Sequence, residues 1–314
     1  MRAIVGRGLA TVLVVAAAAC APGDGTESQA DESPGVVEVV ARGLTLEAPA
    51  EIPSGWTTFR FKNESGVIHF AVLERLADGH GIGDQQELIA PVFQAGMNLL
   101  NAGEVDAAMA KFGELPEWFG EIVFLGGPGF VSPGRTAEAS VHLVPGTYLL
   151  ECYVKTDGVF HSYNPDPSTY GMVHEFTVTE ESSGAAEPAA SLHITLSSER
   201  GIEVEGNPRP GNHVVAVSFE DQMVHENFVG HDVHLARLND DSDLEELATW
   251  MDWRQPTGLE TPAPVEFLGG THEMPAGETA YFSVRLEPGD YAWIAEVANP
   301  DEKGMLKTFT VTAD

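Results

Sequence analysis

Three side chains with soft or borderline donor atoms fall in the segment YLLECYVKTDGVFHSYNPDPSTYGM, residues 148–172: the thiol of Cys152, the imidazole of His161 and the thioether of Met172. A thiolate with imidazoles suits copper or zinc, and a polarisable thioether tilts the choice toward copper. The same run also reads as a strand, a turn and a second strand with no metal. Cys152 therefore stands open between a buried structural cysteine, a metal ligand and a reactive thiol. The chain has only 2 cysteines. If the other, Cys20, is lipidated, Cys152 has no partner for an internal disulfide, and a lone thiol outside the cytoplasm must be buried or bound.

Local geometry decides whether these groups can meet. With Asp157-Gly158 at the tip of a two-residue hairpin, Lys155 pairs with Phe160 and Val154 with His161. Cys152 shares the face of Val154 because strand side chains alternate. Cys152 and His161 then become diagonal neighbours with backbones about 7 to 8 Å apart. The turn-rich stretch YNPDPSTY, residues 163–170, can loop out and return Met172 to the same end.

Further histidines stand in MVHENFVGHDVH (223–234) and GGTHEMPAG (269–277). His225, His231 and His272 are weak candidates for a site assembled through loops; the plainer expectation is exposed or hydrogen-bonded loop histidines. His231 and His234, three apart, face opposite ways on a regular strand. Other chemistries find no support. FLGGPGFVSPG (124–134) is glycine-rich but lacks the Lys-Ser/Thr of a phosphate loop, so turn geometry explains it. No nucleophile-elbow serine or metalloprotease helix is present. With 48 acidic residues, some carboxylates always fall close together, so pairing among them carries no signal.

The 48 acidic side chains stand against 16 basic ones, a formal charge of -32, which opposes nucleic acid and anionic lipid surfaces. At 314 residues the chain has room for two domains. Its start reads as an export segment, residues 1–19: Arg2 and Arg7 precede the apolar run LATVLVVAAAA, too short to span a bilayer as a mature helix. Small residues then lead into Cys20, as in the lipobox of bacterial lipoproteins, which implies a lipid anchor on that cysteine. Ala21 follows where an inner-membrane retention signal places Asp, favouring the outer membrane, periplasmic side. Residues 20–35 read as a disordered acidic tether.

The chain also matches itself. FLGGPGFVSPGRTAEASVHLVPGTY (124–148) aligns without a gap on FLGGTHEMPAGETAYFSVRLEPGDY (267–291), GMVHEFTVT (171–179) on GMLKTFTVT (304–312), and HFAVLERL (69–76) on HDVHLARL (231–238). We read a duplicated domain: 36–180, a polar linker 181–190, and 191–314. Within the copies, short β-rich runs separated by turn signals predict antiparallel strand pairing in an all-β sandwich. One helical insertion, about 84–120, interrupts the first copy, with Leu88, Ile89, Val92, Phe93, Met97 and Leu100 at core-facing spacing. A shorter one, DDSDLEELATWMDW, stands in the second. Trp118, Trp250 and Trp253 fall in these stretches as packing anchors, a sugar- or peptide-binding surface being the alternative.

A histidine opening a middle strand, then Pro-Gly before a Tyr-rich strand ending in Cys, then His, then Gly-Met before a final FTV strand, resembles the cupredoxins, the blue copper proteins. The resemblance implies two cupredoxin-like Greek-key β-sandwich domains. It also implies a mononuclear copper held by His69, Cys152, His161 and Met172, with electron transfer to a redox partner protein as its use. The spacing departs from that family, whose Cys, His and Met share one short loop. In the second copy His231 aligns with His69 and Met305 with Met172, but Ala295 replaces Cys152 and the His161 stretch is deleted, so that copy lacks such a site and reads as a structural or docking domain. The alternative is a metal-free β-sandwich surface module with Cys152 buried.

Overall fold

Alternating apolar residues build the first strand, Val36–Arg42, in which Val37, Val39 and Ala41 are buried while Glu38 and Arg42 face water. The structure, a computed structural model, describes residues 34–166 and 168–313. The export segment, Cys20 and nearly all of the acidic tether lie outside the described residues. Strand Thr45–Glu47 folds back on Val36–Arg42 as a hairpin, so the long strand Glu51–Asn63 must enter on the other side and runs parallel to it. The second half repeats this: Leu192–Ser197 pairs antiparallel with Gly201–Glu205 and parallel with Gly211–Phe219. The sheets are therefore mixed, a correction to the expected antiparallel pairing.

Glu51–Asn63 belongs to both layers of the first sandwich. Its start runs beside Val173–Ser182, and its remainder pairs with Thr136–Leu143. The second layer continues from Val173–Ser182 through Gly146–Glu151 and Val72–Arg75 to Val123–Phe124. In the second half the opposite layer has 4 strands, ordered Glu266–Thr271, Val233–Leu238, Gly289–Ile294 and Leu306–Val311. Residues 183–190 form no regular element.

The two halves share a sheet. Thr136–Leu143 pairs antiparallel with Thr279–Leu286, and Ala139 lies opposite Phe282, the very residue the ungapped sequence match assigns to it. Pro128 bridges Thr271, again its matched residue. A local two-fold axis therefore runs through the junction. The apolar core is continuous across it, with Phe130 packed on Trp250 and Phe267 at centroid distances of 5.2 and 5.1 Å. Burying a side chain of that size stabilises by roughly 1.5 to 3 kcal/mol.

The glycine-rich segments are close-approach points as well as turns. Gly127 has φ +98, and a Cβ there would lie 2.3 Å from the Ala71 carbonyl oxygen. Its match Gly270 has φ +139, and a Cβ there would meet the Val233 oxygen at 2.3 Å. Glycine is needed at both positions.

The first insertion is helical, principally Ala90–Asn101 and Val105–Phe112. Met97 is fully buried, but Leu88 is 41% exposed. Ahead of the main helix the turn Gln85–Ile89 is widened, with the Ala90 N–H bonding to Gln85 O; that rotates Leu88 out of the expected stripe. In the second insertion Asp243 caps Leu244–Trp250 by accepting from the Glu245 and Glu246 N–H groups. Trp250 and Trp253 are buried, whereas Trp118 stacks on His80 at 4.2 Å. No helix among the described residues is long and apolar enough to cross a membrane.

Candidate metal centre

The hairpin carrying His161 forms in the register the Asp-Gly pair dictates. Lys155 pairs with Phe160 and Thr156 with Val159, Asp157 and Gly158 take φ of 54° and 76°, and the His161 N–H donates to Val154 O at 2.8 Å. Both positive φ values belong to a type I′ turn. The second half clamps this hairpin. Lys155 N–H donates to Leu259 O at 2.8 Å, Thr261 N–H donates to Lys155 O at 2.9 Å, and the buried Lys155 ammonium donates to Trp253 O and Gln255 O.

Backbone hydrogen bonds fix the other positions. His69 is locked to Val131, each donating to the other's carbonyl at 3.2 and 2.7 Å. Cys152 follows the strand Gly146–Glu151, and its N–H donates to Met172 O at 3.0 Å; the Met172 N–H donates to His161 O at 2.7 Å. These bonds return Met172 to the same end of the sandwich as Cys152 and His161, where it is fully buried.

The side chains of His69, Cys152 and His161 converge. Cys152 Sγ lies 3.5 Å from His69 Nδ1 and 3.9 Å from His161 Nδ1, and the two Nδ1 atoms are 3.2 Å apart. Bonds of about 2.0 Å to nitrogen and 2.3 Å to sulfur, as found for borderline metals, would span that triangle with angles of roughly 100 to 130°. The donor set therefore fits a single copper ion, and the soft sulfur favours copper over harder ions.

All three groups are poised as neutral donors. Burial pushes the Cys152 thiol up to about 12. Burial pulls His69 down to about 4, and burial together with His69 pulls His161 down to about 3. Both imidazoles thus stay uncharged at neutral pH, each with one nitrogen lone pair free to ligate, while the thiol must lose its proton when a metal enters. His161 Nε2 lies 2.9 Å from Thr156 Oγ1, which in turn lies 2.9 Å from Thr261 Oγ1 of the second half. Such outer contacts orient a ligating ring. Thr156 carries no sequence signal beyond its place in the hairpin, and Thr261, from the other half, carries none.

The second half keeps the frame without the thiol. Ala295 N–H donates to Met305 O at 3.0 Å, reproducing the Cys152–Met172 contact, and Met305 is buried. His225 Nε2 lies 3.1 Å from His231 Nδ1, and His231 Nε2 contacts Ser198 Oγ at 3.0 Å and Asp221 Oδ1 at 3.2 Å. These rings are hydrogen-bonded, as the plainer expectation had it, but buried rather than exposed. His272 does not join them. It packs at 5.0 Å from His234 in a separate buried group with Asp232 and Glu296, because its loop lies against the first half, 4.5 Å from the Phe70 ring. The sequence hid this group: Asp232 and Glu296 are two acids among 48.

No protein-family model and no curated protein matches the sequence. Among solved structures, the blue copper protein auracyanin A from Chloroflexus aurantiacus aligns at 22% identity over 47% of this chain and 100% of its own, with a TM-score of 0.25. Auracyanin from Roseiflexus castenholzii aligns at 20% over 46% and 97%, TM-score 0.24. A multi-copper oxidase from Pseudomonas thermotolerans aligns at 12% over 88% of this chain and 67% of its own, TM-score 0.21. At such TM-scores the superpositions carry no argument by themselves. The mixed-sheet sandwich halves and the His69–Cys152–His161 convergence stand on the chain's own geometry.

Proposed function

We propose that the protein binds one copper ion in its first half and serves as an electron-transfer protein. The convergence of Cys152 Sγ with two imidazole Nδ1 atoms in a fully buried pocket carries this reading. Copper bound there supplies one-electron exchange between its two oxidation states. The chain's own residues keep the site rigid and dry: Val131 pins His69, the Asp157-Gly158 hairpin and Thr156 hold His161, and the buried Met172, tied by its backbone to Cys152 and His161, is the residue we assign as the weak fourth ligand. Because the second half clamps the hairpin through Lys155 and Thr261, its role is structural as well as any docking role for a redox partner protein.

Export and lipid anchoring at Cys20, with the outer membrane favoured, complete the reading; the support is the charged, apolar and small-residue order of residues 1–20. The matched segments of the two halves support descent from a duplicated domain. Incorporation of labelled fatty acid that Cys20→Ala abolishes would establish the anchor.

A visible absorption titration with Cu(II), run beside Cys152→Ala, tests the copper reading. An intense thiolate-to-copper band in the parent alone, retained in His80→Ala, is the expected result. No band and no retained metal would leave a metal-free surface module with a buried cysteine.

A further inference from the structure

Glu74, Glu151, Asp232, Glu273 and Glu296 are buried, and among the described residues no lysine or arginine pairs with any of them. A buried carboxyl group with no cationic partner is either protonated or bound to a metal ion.

Two of these acids stand with two histidines. Asp232, His234, His272 and Glu296 each bring a donor atom within 4.8 Å of the others, and all four are fully buried. His234 Nε2 lies 2.8 Å from Asp232 Oδ2, the Glu296 N–H donates to Asp232 Oδ1 at 2.7 Å, and the Tyr153 hydroxyl donates to Glu296 Oε2 at 3.2 Å. Both ring nitrogens of His272 and Glu296 Oε1 have no partner. Buried polar atoms are nearly always satisfied, so these orphans ask for a ligand. Glycine at 129 lets the His234 ring sit here, since a Cβ on Gly129 would come within 2.5 Å of His234 Nδ1.

We propose that Asp232, His234, His272 and Glu296 form a second metal centre, distinct from the thiolate site, for a divalent first-row ion such as zinc. Two imidazoles and two carboxylates give a four-coordinate, charge-neutral set for such an ion. Calcium and magnesium prefer oxygen alone, and cuprous copper prefers sulfur. Tyr153 on Glu296, and the Glu296 amide on Asp232, orient the ligands from outside. A cavity of about 70 Å³ is bordered by Glu74, Glu151, Glu273 and Tyr153, the last of which bonds Glu296. The two centres are adjacent along the chain: Cys152 precedes Tyr153, which bonds Glu296, and His69 precedes Phe70, which packs on His272.

The metal-stripped protein carrying Cys152→Ala, titrated with Co²⁺ and Zn²⁺, tests this. We expect uptake of about one equivalent per chain, with visible d–d absorption, no thiolate charge-transfer band, and Zn²⁺ displacing Co²⁺. Glu296→Gln and His272→Gln should each weaken binding at least about tenfold, while His225→Gln, in the other histidine pair, should not. Circular dichroism identifies any variant that fails to fold. If both conservative variants do, a four-coordinate Co²⁺ spectrum that survives His225→Gln in the folded Cys152→Ala protein supports the site. No uptake by folded Cys152→Ala protein, or uptake that both folded variants leave unchanged, overturns it. The thiolate-to-copper band of the parent reports on the other centre separately.

Discussion

The hydroxyl of Tyr153 donates to Glu296 Oε2 at 3.2 Å, joining the residue next to the Cys152 ligand to the opposite half of the chain. Replacing Tyr153 with Phe keeps the ring against Phe70, 4.6 Å away, but leaves both oxygens of Glu296 unpartnered. We expect Tyr153→Phe to lower the stability of the metal-free protein by about 1 to 3 kcal/mol and to retain the copper-thiolate band. Urea unfolding followed by fluorescence checks the first part, and an unchanged midpoint would mean that the hydrogen bond is not made in solution.

Thr156 orients His161 from outside the triangle. Thr156→Val keeps the shape and removes the contact with Nε2, so copper affinity should fall by about 10- to 100-fold with the fold intact. Competition against a chelator of known affinity measures this. An equal loss in Thr261→Val would show that the second half's threonine acts through the first.

His225 offers a pH dependence away from either centre. Burial, and then His231 and Lys303, pull it down to about 4 from an unfolded value near 6.5. A depressed value means that the unfolded chain binds the proton first. The associated stability is present above about 6.5 and is lost as pH falls toward 4. His225→Gln should flatten that part of the melting-temperature profile; a variant whose profile drops as steeply as the parent's would remove His225 from the account.

Gly127 and Gly270 make the same close approach in the two halves, so Gly127→Ala and Gly270→Ala should each cost about 1 to 3 kcal/mol. Gly66, with nothing within 4 Å of an added Cβ, is the control and should tolerate alanine. Thermal melts of the three variants decide it.

The sequence made some of this readable and hid the rest, for physical reasons. Asp157-Gly158 specified the hairpin because few residue pairs tolerate two positive φ values in succession, and strand alternation then aimed Cys152 and His161 the same way. Strand direction was not readable: alternation encodes which face is buried, and a parallel neighbour buries the same face as an antiparallel one. Leu88 fitted a helical stripe that assumed uniform turns, and the widened turn at Gln85–Ile89 defeats that assumption. Asp232, His234, His272 and Glu296 were the hardest to see. They come from three separate segments, and nothing in one segment announces that Phe70 and Phe130 of the other half will wall off His272 from water.

The antiparallel seam at Ala139 and Phe282 has a consequence for how the molecule can be divided. Each seam strand satisfies its backbone with the corresponding strand of the other half, so cutting within 183–190 and separating the pieces would strip a hydrogen-bonding edge from both. A liberated piece would find the best template for that edge in another piece like itself. In the intact chain the connecting segment keeps the two edges at high effective concentration, turning what would be a bimolecular assembly into an intramolecular one whose pairing does not weaken on dilution.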